Sequence, residues 1–442
     1  MLPRGPKGHV LLGSLPEFRR DVLGFFAACA RDYGDVVPIR VPRRRLVLLS
    51  HPDLIEEVLT AHARRTSKTA LLQTLRTVLG NGLLLSEGDT WLRQRRLIQP
   101  AFHRQRIAAY GEVMAAFADR AMAHWKDGET RDVHADMMAV TQAIVAKTLF
   151  DADVSGGAWD VGQALHVLME DFSRTRTRVF RLPTFVPTPT RLRTRRAVER
   201  LDRLVYGIIA ARRASGEDRG DLLSLLLQAQ DADDGSRMTD QQARDEIMTL
   251  FLAGHETTAV SLSWTWYLLA QHPEVEARLV DELRSVLGGR WPTVADLPRL
   301  RYTEMVVTES MRLYPPAYTI TRRVVEPLTV GSHAIAPETV LVMSQWVVHR
   351  DRRWFDEPGA FQPDRWEHDL AKRLPRYAYF PFGGGPRLCI GNTFALMEAT
   401  LLLATIAQRF RFRLAPGAAV TPMLSVTLRP AEGLPMILSA AN

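Results

Sequence analysis

At 442 residues, with 46% hydrophobic and 24% charged residues, the chain has the composition of a folded globular protein with a substantial core. Its charge of +8, from 57 basic and 49 acidic residues, comes without a Lys/Arg block interleaved with aromatics, which argues against a nucleic-acid partner. No run nears the roughly 18 apolar residues of a transmembrane segment, residues 1–13 lack the apolar stretch of a signal peptide, and the two cysteines, Cys29 and Cys389, build no disulfide framework; a cytoplasmic location is the expectation.

In chain order, residues 20–32 carry Val22, Leu23, Phe25, Phe26 and Cys29 at helical spacing. Residues 36–41 and 45–50 read as a hairpin joined by Pro42 and an arginine run. From 53 to about 287 the periodicity is almost wholly helical, with breaks at Gly80-Gly82, Asp127-Gly128, Gly156-Gly157, 183–189, Asp218-Gly220 and Asp233-Gly235. Ten arginines fall between 174 and 203; they read as a solvated helix pair around a proline-rich turn, the alternative being contact with an anionic membrane surface or an acidic partner. One helix, 240–271, is unusually long; it starts at Thr239 or Asp240 and stops before His272-Pro273. After Leu313 come Pro315-Pro316 and short β-like stretches at 319–325 and 340–343, then a last helix at 392–408 and a β-rich tail. The chain reads as mainly α with a minor β component, the β-rich parts lying near 34–50 and 315–345.

Three motifs carry chemistry. In Phe382-Gly383-Gly384-Gly385-Pro386-Arg387-Leu388-Cys389-Ile390-Gly391, glycines and a proline precede a helix, so the backbone can come close to something flat. Cys389 sits at the mouth of that helix, where free N–H groups favour a thiolate, and Arg387 suits a carboxylate of whatever the sulfur binds. On the long helix, Ala253-Gly254-His255-Glu256-Thr257-Thr258 offers small residues for close approach, an acid beside an alcohol for proton delivery, and a Thr257 hydroxyl able to bond back one turn and open the backbone ladder. His255-Glu256 begins a zinc pattern, but Ala259 stands where its second histidine belongs. Glu309 and Arg312 share a helix face, as do Trp91 and Arg95.

The decapeptide resembles the haem-binding loop of the cytochrome P450 family, with Phe382, Gly385, Arg387, Cys389 and Gly391 in place. Five such matches arise by chance about once in ten thousand chains of this length. The resemblance covers essentially the whole chain, from Trp91 to Gly391 in the family's order, and so implies one domain, 1–442, with a long central helix over a haem. It implies haem b (iron protoporphyrin IX) as cofactor, with Cys389 as the thiolate ligand of iron. Phe382 and Gly391 would lie beside the sulfur and ring, and Arg387, Trp91, Arg95 and Arg322 (or Arg323) against the propionates. Glu256 and Thr257 become the acid–alcohol pair, and Glu309, Arg312 and Arg365 a structural triad bracing the ligand loop; Trp366 stands where phenylalanine is common. His349-Arg350-Asp351 fits a stretch common before Phe361.

The activity so implied is a monooxygenase inserting one atom of O2 into an apolar substrate, a terpenoid or a fatty acid. Electrons would come from NAD(P)H through a ferredoxin or flavodoxin and its reductase, docked on the Cys389 side of a monomer. Ala253, Ala317 and Ile320 are the pocket candidates, on segments 66–85, 167–186, 250–257 and 317–320. Peroxygenase, isomerase and non-enzymatic haem sensor are the alternatives, and the Glu256-Thr257 pair speaks against all three.

Overall fold

The computed structural model describes residues 2–42, 44–151, 188–230 and 235–441. It divides into two compact units, Met1–Gln73 with Thr308–Cys389, and Thr74–Val307 with Ile390–Asn442. The part of the arginine-rich segment up to residue 187 and the pocket segment 167–186 lie outside the described residues, as do the expected breaks at Gly156-Gly157 and Asp233.

The first unit is built on a mixed five-stranded sheet, in the order Val36–Val41, Arg44–Leu49, Val340–Met343, Ile320–Val324, Thr66–Ser67. The expected hairpin is present, with Val36 opposite Leu49 and Val41 opposite Arg44. Its second strand runs parallel to Val340–Met343, which in turn pairs antiparallel with Ile320–Val324. β-branched and leucine side chains on these strands, together with Ile55, Val58, Tyr377 and Phe380, form one core cluster. Helix Val22–Tyr33 begins at Asp21, whose side chain accepts the Gly24 N–H at 2.9 Å, and it buries Val22, Leu23, Phe26 and Cys29. A further hairpin, Leu328–Val330 with His333–Ile335, turns at Gly331 (φ +56°). Its strands are too short to leave a periodic signal.

The second unit centres on helix Asp240–Leu269, 30 residues long and therefore about 45 Å. Thr239 caps it: its hydroxyl accepts the Gln242 N–H while the Gln242 side chain accepts the Thr239 N–H. Helices Val133–Phe150, Pro189–Ser215 and Asn392–Ala407 pack around it, so it is buried nearly all round and shows little amphipathic patterning. Trp264 donates its indole N–H to the Leu428 carbonyl at 2.7 Å, and the Trp266 ring lies 4.5 Å from Phe412. The β-rich tail supplies Phe410–Leu414 and Pro435–Ala440 to a three-stranded sheet completed by Thr130–Asp132, from 300 residues earlier in the chain.

Candidate functional site

The loop before helix Asn392–Ala407 is held by its own backbone. The Cys389 N–H donates to the Phe382 carbonyl at 3.1 Å and the Leu388 N–H to Gly385 at 3.1 Å. Gly385 has φ +64°, and a Cβ there would stand 2.0 Å from the Leu59 carbonyl oxygen, so any side chain would displace backbone. Gly383 has φ +73° and lies against Ile320. The resulting bend leaves Cys389 exposed and Phe382 and Arg387 half-buried. Cys29, by contrast, is packed inside helix Val22–Tyr33, where burial and then the Asp32 charge push its pKa up to about 11. Of the two thiols, Cys389 is the one a ligand can reach.

The same unit braces this loop from behind. Glu309, fully buried, accepts from Arg312 Nε and Nη2 (2.8 Å each), Arg365 Nε (2.8 Å), the Gln362 N–H (3.1 Å) and the Trp366 indole (2.9 Å). Arg312 spends its other N–H groups on the carbonyls of His349, Pro358 and Ala360. Burial, with Arg312 and Arg350 nearby, holds the His349 pKa well below its ordinary value, so its neutral ring accepts the Phe380 N–H at 3.0 Å. Hydrogen bonds thus run from the triad through His349 to a residue two before Phe382. Trp366 adds a fifth donor to Glu309 that a phenylalanine would lack.

Nearby, Arg323 is engaged by Glu338 at 2.6 Å. Arg322 projects from the opposite face of the strand, the face that carries Ile320 toward Gly383. Ala317 is exposed and Ile320 half-buried.

In the second unit, the middle of the central helix bares one narrow face. Ala253 is exposed and Gly254 and Thr257 half-buried, between stretches that are buried throughout. The Thr257 hydroxyl donates to the Ala253 carbonyl at 2.7 Å, yet the helix runs on without interruption. Gly254 serves a different end from the one its small size suggests: a Cβ there would come within 3.0 Å of Val145, so it admits helix Val133–Phe150. His255 is buried with its pKa driven down to about 4 by desolvation, and its Nδ1–H faces the Phe251 carbonyl at 2.8 Å. Glu256 is also buried. Desolvation raises its pKa, while the Thr427 hydroxyl, donating at 2.7 Å, and Arg429 pull the other way. The polar atoms of Glu256 and Thr257 therefore bond to different partners, Thr427 and Ala253.

Trp91 and Arg95 lie half-buried, one turn apart on helix Gly88–Ile98. Gly391 is the N-cap of helix Asn392–Ala407, and a Cβ there would make an ordinary 3.6 Å contact with Phe102, so protein atoms do not demand a glycine. No cluster of three or more metal-ligating side chains occurs among the described residues.

Sequence reasoning missed Thr427 and Glu398, and it named His349 without a partner. Glu398 had a signal: it is the one charged residue of the apolar helix Asn392–Ala407. Fully buried beside Thr258, its carboxyl is pushed up to about 8 by desolvation, against the pull of the Thr258 hydroxyl. The folded state keeps this proton where the unfolded chain, near 4.5, has lost it. Stability from this group is thus complete below pH 4.5 and is lost as pH rises toward 8, on the order of 5 kcal/mol in all. In Glu398→Gln that slope is expected to flatten, as read by urea unfolding at a series of pH values. An unchanged slope removes the assignment.

The cytochrome P450 family model matches residues 3–434. Among curated relatives, cyclooctatin synthase of Streptomyces melanosporofaciens is 39% identical, over 97% of this chain and 94% of its own. Cyclooctat-9-en-7-ol 5-monooxygenase from the same organism is 37% identical (93% and 90%), and pentalenene oxygenase of Streptomyces avermitilis 34% (98% and 96%). The crystal structure of a cytochrome P450DA heme domain superposes with a TM-score of 0.90 at 26% identity, covering 100% of this chain and 98% of that one. Fold and motifs together define a haem-dependent monooxygenase. The chain belongs to the cytochrome P450 family.

Proposed function

We propose that this monooxygenase oxidises a terpenoid, drawing electrons from NAD(P)H through a separate ferredoxin or flavodoxin and its reductase, in the cytoplasm and as a monomer whose whole chain is one domain. The observation that carries the substrate class is the trio of relatives, two of them named for an alkene and an unsaturated alcohol. Leu71, Leu72, Leu75, Ala317 and Ile320 on the pocket segments are apolar and suit such a molecule. The chain passes between its two units three times, which favours one domain over separable parts.

The residues fit a haem. An exposed thiol in a glycine-formed bend supplies a thiolate donor for iron. Cys389 would hold the iron, with Phe382 and Gly391 beside it. Arg387, Trp91, Arg95 and Arg322 would take the propionates, Arg322 being preferred because Glu338 holds Arg323. Bound there, the group supplies reductive activation of O2.

The chain's own part is to exclude water and deliver protons. Burial raises the pKa of the Glu256 carboxyl and so favours its protonated form, while one of its oxygens accepts from the Thr427 hydroxyl. Thr257 holds its hydroxyl hydrogen on the Ala253 carbonyl, from which a single χ1 rotation releases it. Thr257→Ala is expected to lower product formed per electron pair at least about tenfold, with hydrogen peroxide released instead; unchanged coupling removes Thr257 from the relay. For the substrate, terpenes and fatty acids are titrated into the ferric protein, the spectrum is followed for displacement of water, and products are identified by mass spectrometry. A fatty acid oxidised in preference to every terpene overturns the terpenoid reading.

A further inference from the structure

The turn that leads to Cys389 is fastened from outside by a tyrosine. Residues Gly385–Arg387 form a short 3-10 turn, closed by the Leu388 N–H on the Gly385 carbonyl at 3.1 Å. The first N–H groups of a helical turn have no acceptor within it, and Pro386, second in this one, brings no N–H at all. Gly385 is therefore the donor that the start of the turn has to place. The position that usually caps such a start is Gly384, which has no side chain to offer. The Gly385 N–H donates instead to the Tyr377 hydroxyl at 3.0 Å.

Tyr377 is itself firmly held. It is buried in the core cluster with Ile55, Val58, Leu59 and Phe380, and it brings that cluster its one hydroxyl. A phenylalanine would fill the same space, whereas a buried phenol is kept where its oxygen has a partner. Burial raises the Tyr377 pKa, so the hydroxyl stays neutral. Beside it, Arg376 pairs with Glu56 of helix Pro52–Leu59 at 3.3 Å. The last carbonyl of that helix, on Leu59, is the group a Cβ at Gly385 would strike. The tyrosine ring also governs the preceding residue: a Cβ at Gly384 would lie 2.2 Å from its Cε1 and 2.6 Å from its hydroxyl oxygen. The His349 bond ends on Phe380, outside the ten-residue motif; Tyr377 grips inside it, at Gly385.

We propose that Tyr377 is a positioning residue for the iron ligand: its hydroxyl caps the turn ahead of Cys389 and keeps the sulfur in place on the iron. This rests on Cys389 holding the haem iron, and it gives a side chain a task that neither the Glu309 brace nor the glycines perform. Losing the ligand breaks the iron–sulfur bond and leaves the sulfur with a proton taken from water, so a turn that opens more often loses its thiolate sooner. The test is Tyr377→Phe in the full-length haem-loaded protein, which keeps the ring and removes the acceptor. Hydrogen exchange of the peptide holding Gly385 should quicken at least about tenfold, with helix Pro52–Leu59 exchanging as in the wild type. In mild urea the red-shifted Soret band of the reduced, carbon-monoxide-bound protein should decay at least about tenfold faster, while thermal unfolding followed by circular dichroism moves by no more than about 2 °C. Gly384→Ala, which drives a methyl group into the ring, should give the same early band loss, and Tyr377→Phe should add nothing to it. Wild-type exchange and decay in Tyr377→Phe overturn the proposal. So does a faster decay that merely follows an earlier global unfolding, and so do additive effects of the two substitutions. A wild type without the red-shifted band sinks the assignment of Cys389 and this proposal with it; a normal band with an unchanged decay rate strikes the role of Tyr377 alone.

Discussion

Replacing Cys389 by serine is expected to abolish substrate oxidation and to remove the red-shifted Soret band of the reduced, carbon-monoxide-bound protein, while the chain stays folded. The sulfur is exposed, and the bend that presents it is fixed by backbone bonds and by Gly383 and Gly385. Serine is close in size and keeps those bonds, but at neutral pH its hydroxyl is no anionic donor to iron. Gly385→Ala is the complementary variant. It leaves the thiol in place but drives a methyl group into the Leu59 carbonyl at a backbone angle alanine resists, so haem content should fall with the sulfur intact. If Cys389→Ser keeps both the native spectrum and turnover, the thiolate assignment is lost.

The legible parts of this protein were those where a local pattern meets a local need. Thr239 or Asp240 marked the start of the central helix and His272-Pro273 its end, because capping and proline chemistry act over a few residues. The hairpin at 36–49 and the bend at Cys389 were equally local. What stayed hidden depends on partners far away in sequence. Thr427 lies 171 positions from the Glu256 oxygen it serves, and nothing in its neighbourhood marks it. Gly254 looked like room for a ligand because a sequence does not say which face meets Val145. His349 was a familiar triplet without a task until its ring nitrogen was found on the Phe380 amide. That Glu338 engages Arg323, on the face of the strand opposite to Arg322, shows only in the fold.

The costliest single change outside the sulfur is expected at Glu309. Its carboxylate and the Arg312 guanidinium are both wholly buried, and five donors converge on the acid. Glu309→Ala strands a positive charge without water or counter-ion, and such removal of one partner costs about 3–5 kcal/mol. The Trp366 and Gln362 N–H groups lose their acceptor as well, adding about 1–3 kcal/mol for each that stays buried and unpaired. Against a typical total of about 5–15 kcal/mol, the variant should be unfolded or close to it at ambient temperature. Trp366→Phe probes the same centre gently: it keeps the ring and removes one N–H, so a loss near 1 kcal/mol is expected. Arg365→Ala should fall between the two, because Glu309 keeps Arg312. Denaturant unfolding of the three proteins gives the order directly. If Glu309→Ala unfolds no more easily than Trp366→Phe, the buried pair contributes little, and the brace behind the Cys389 bend lies elsewhere.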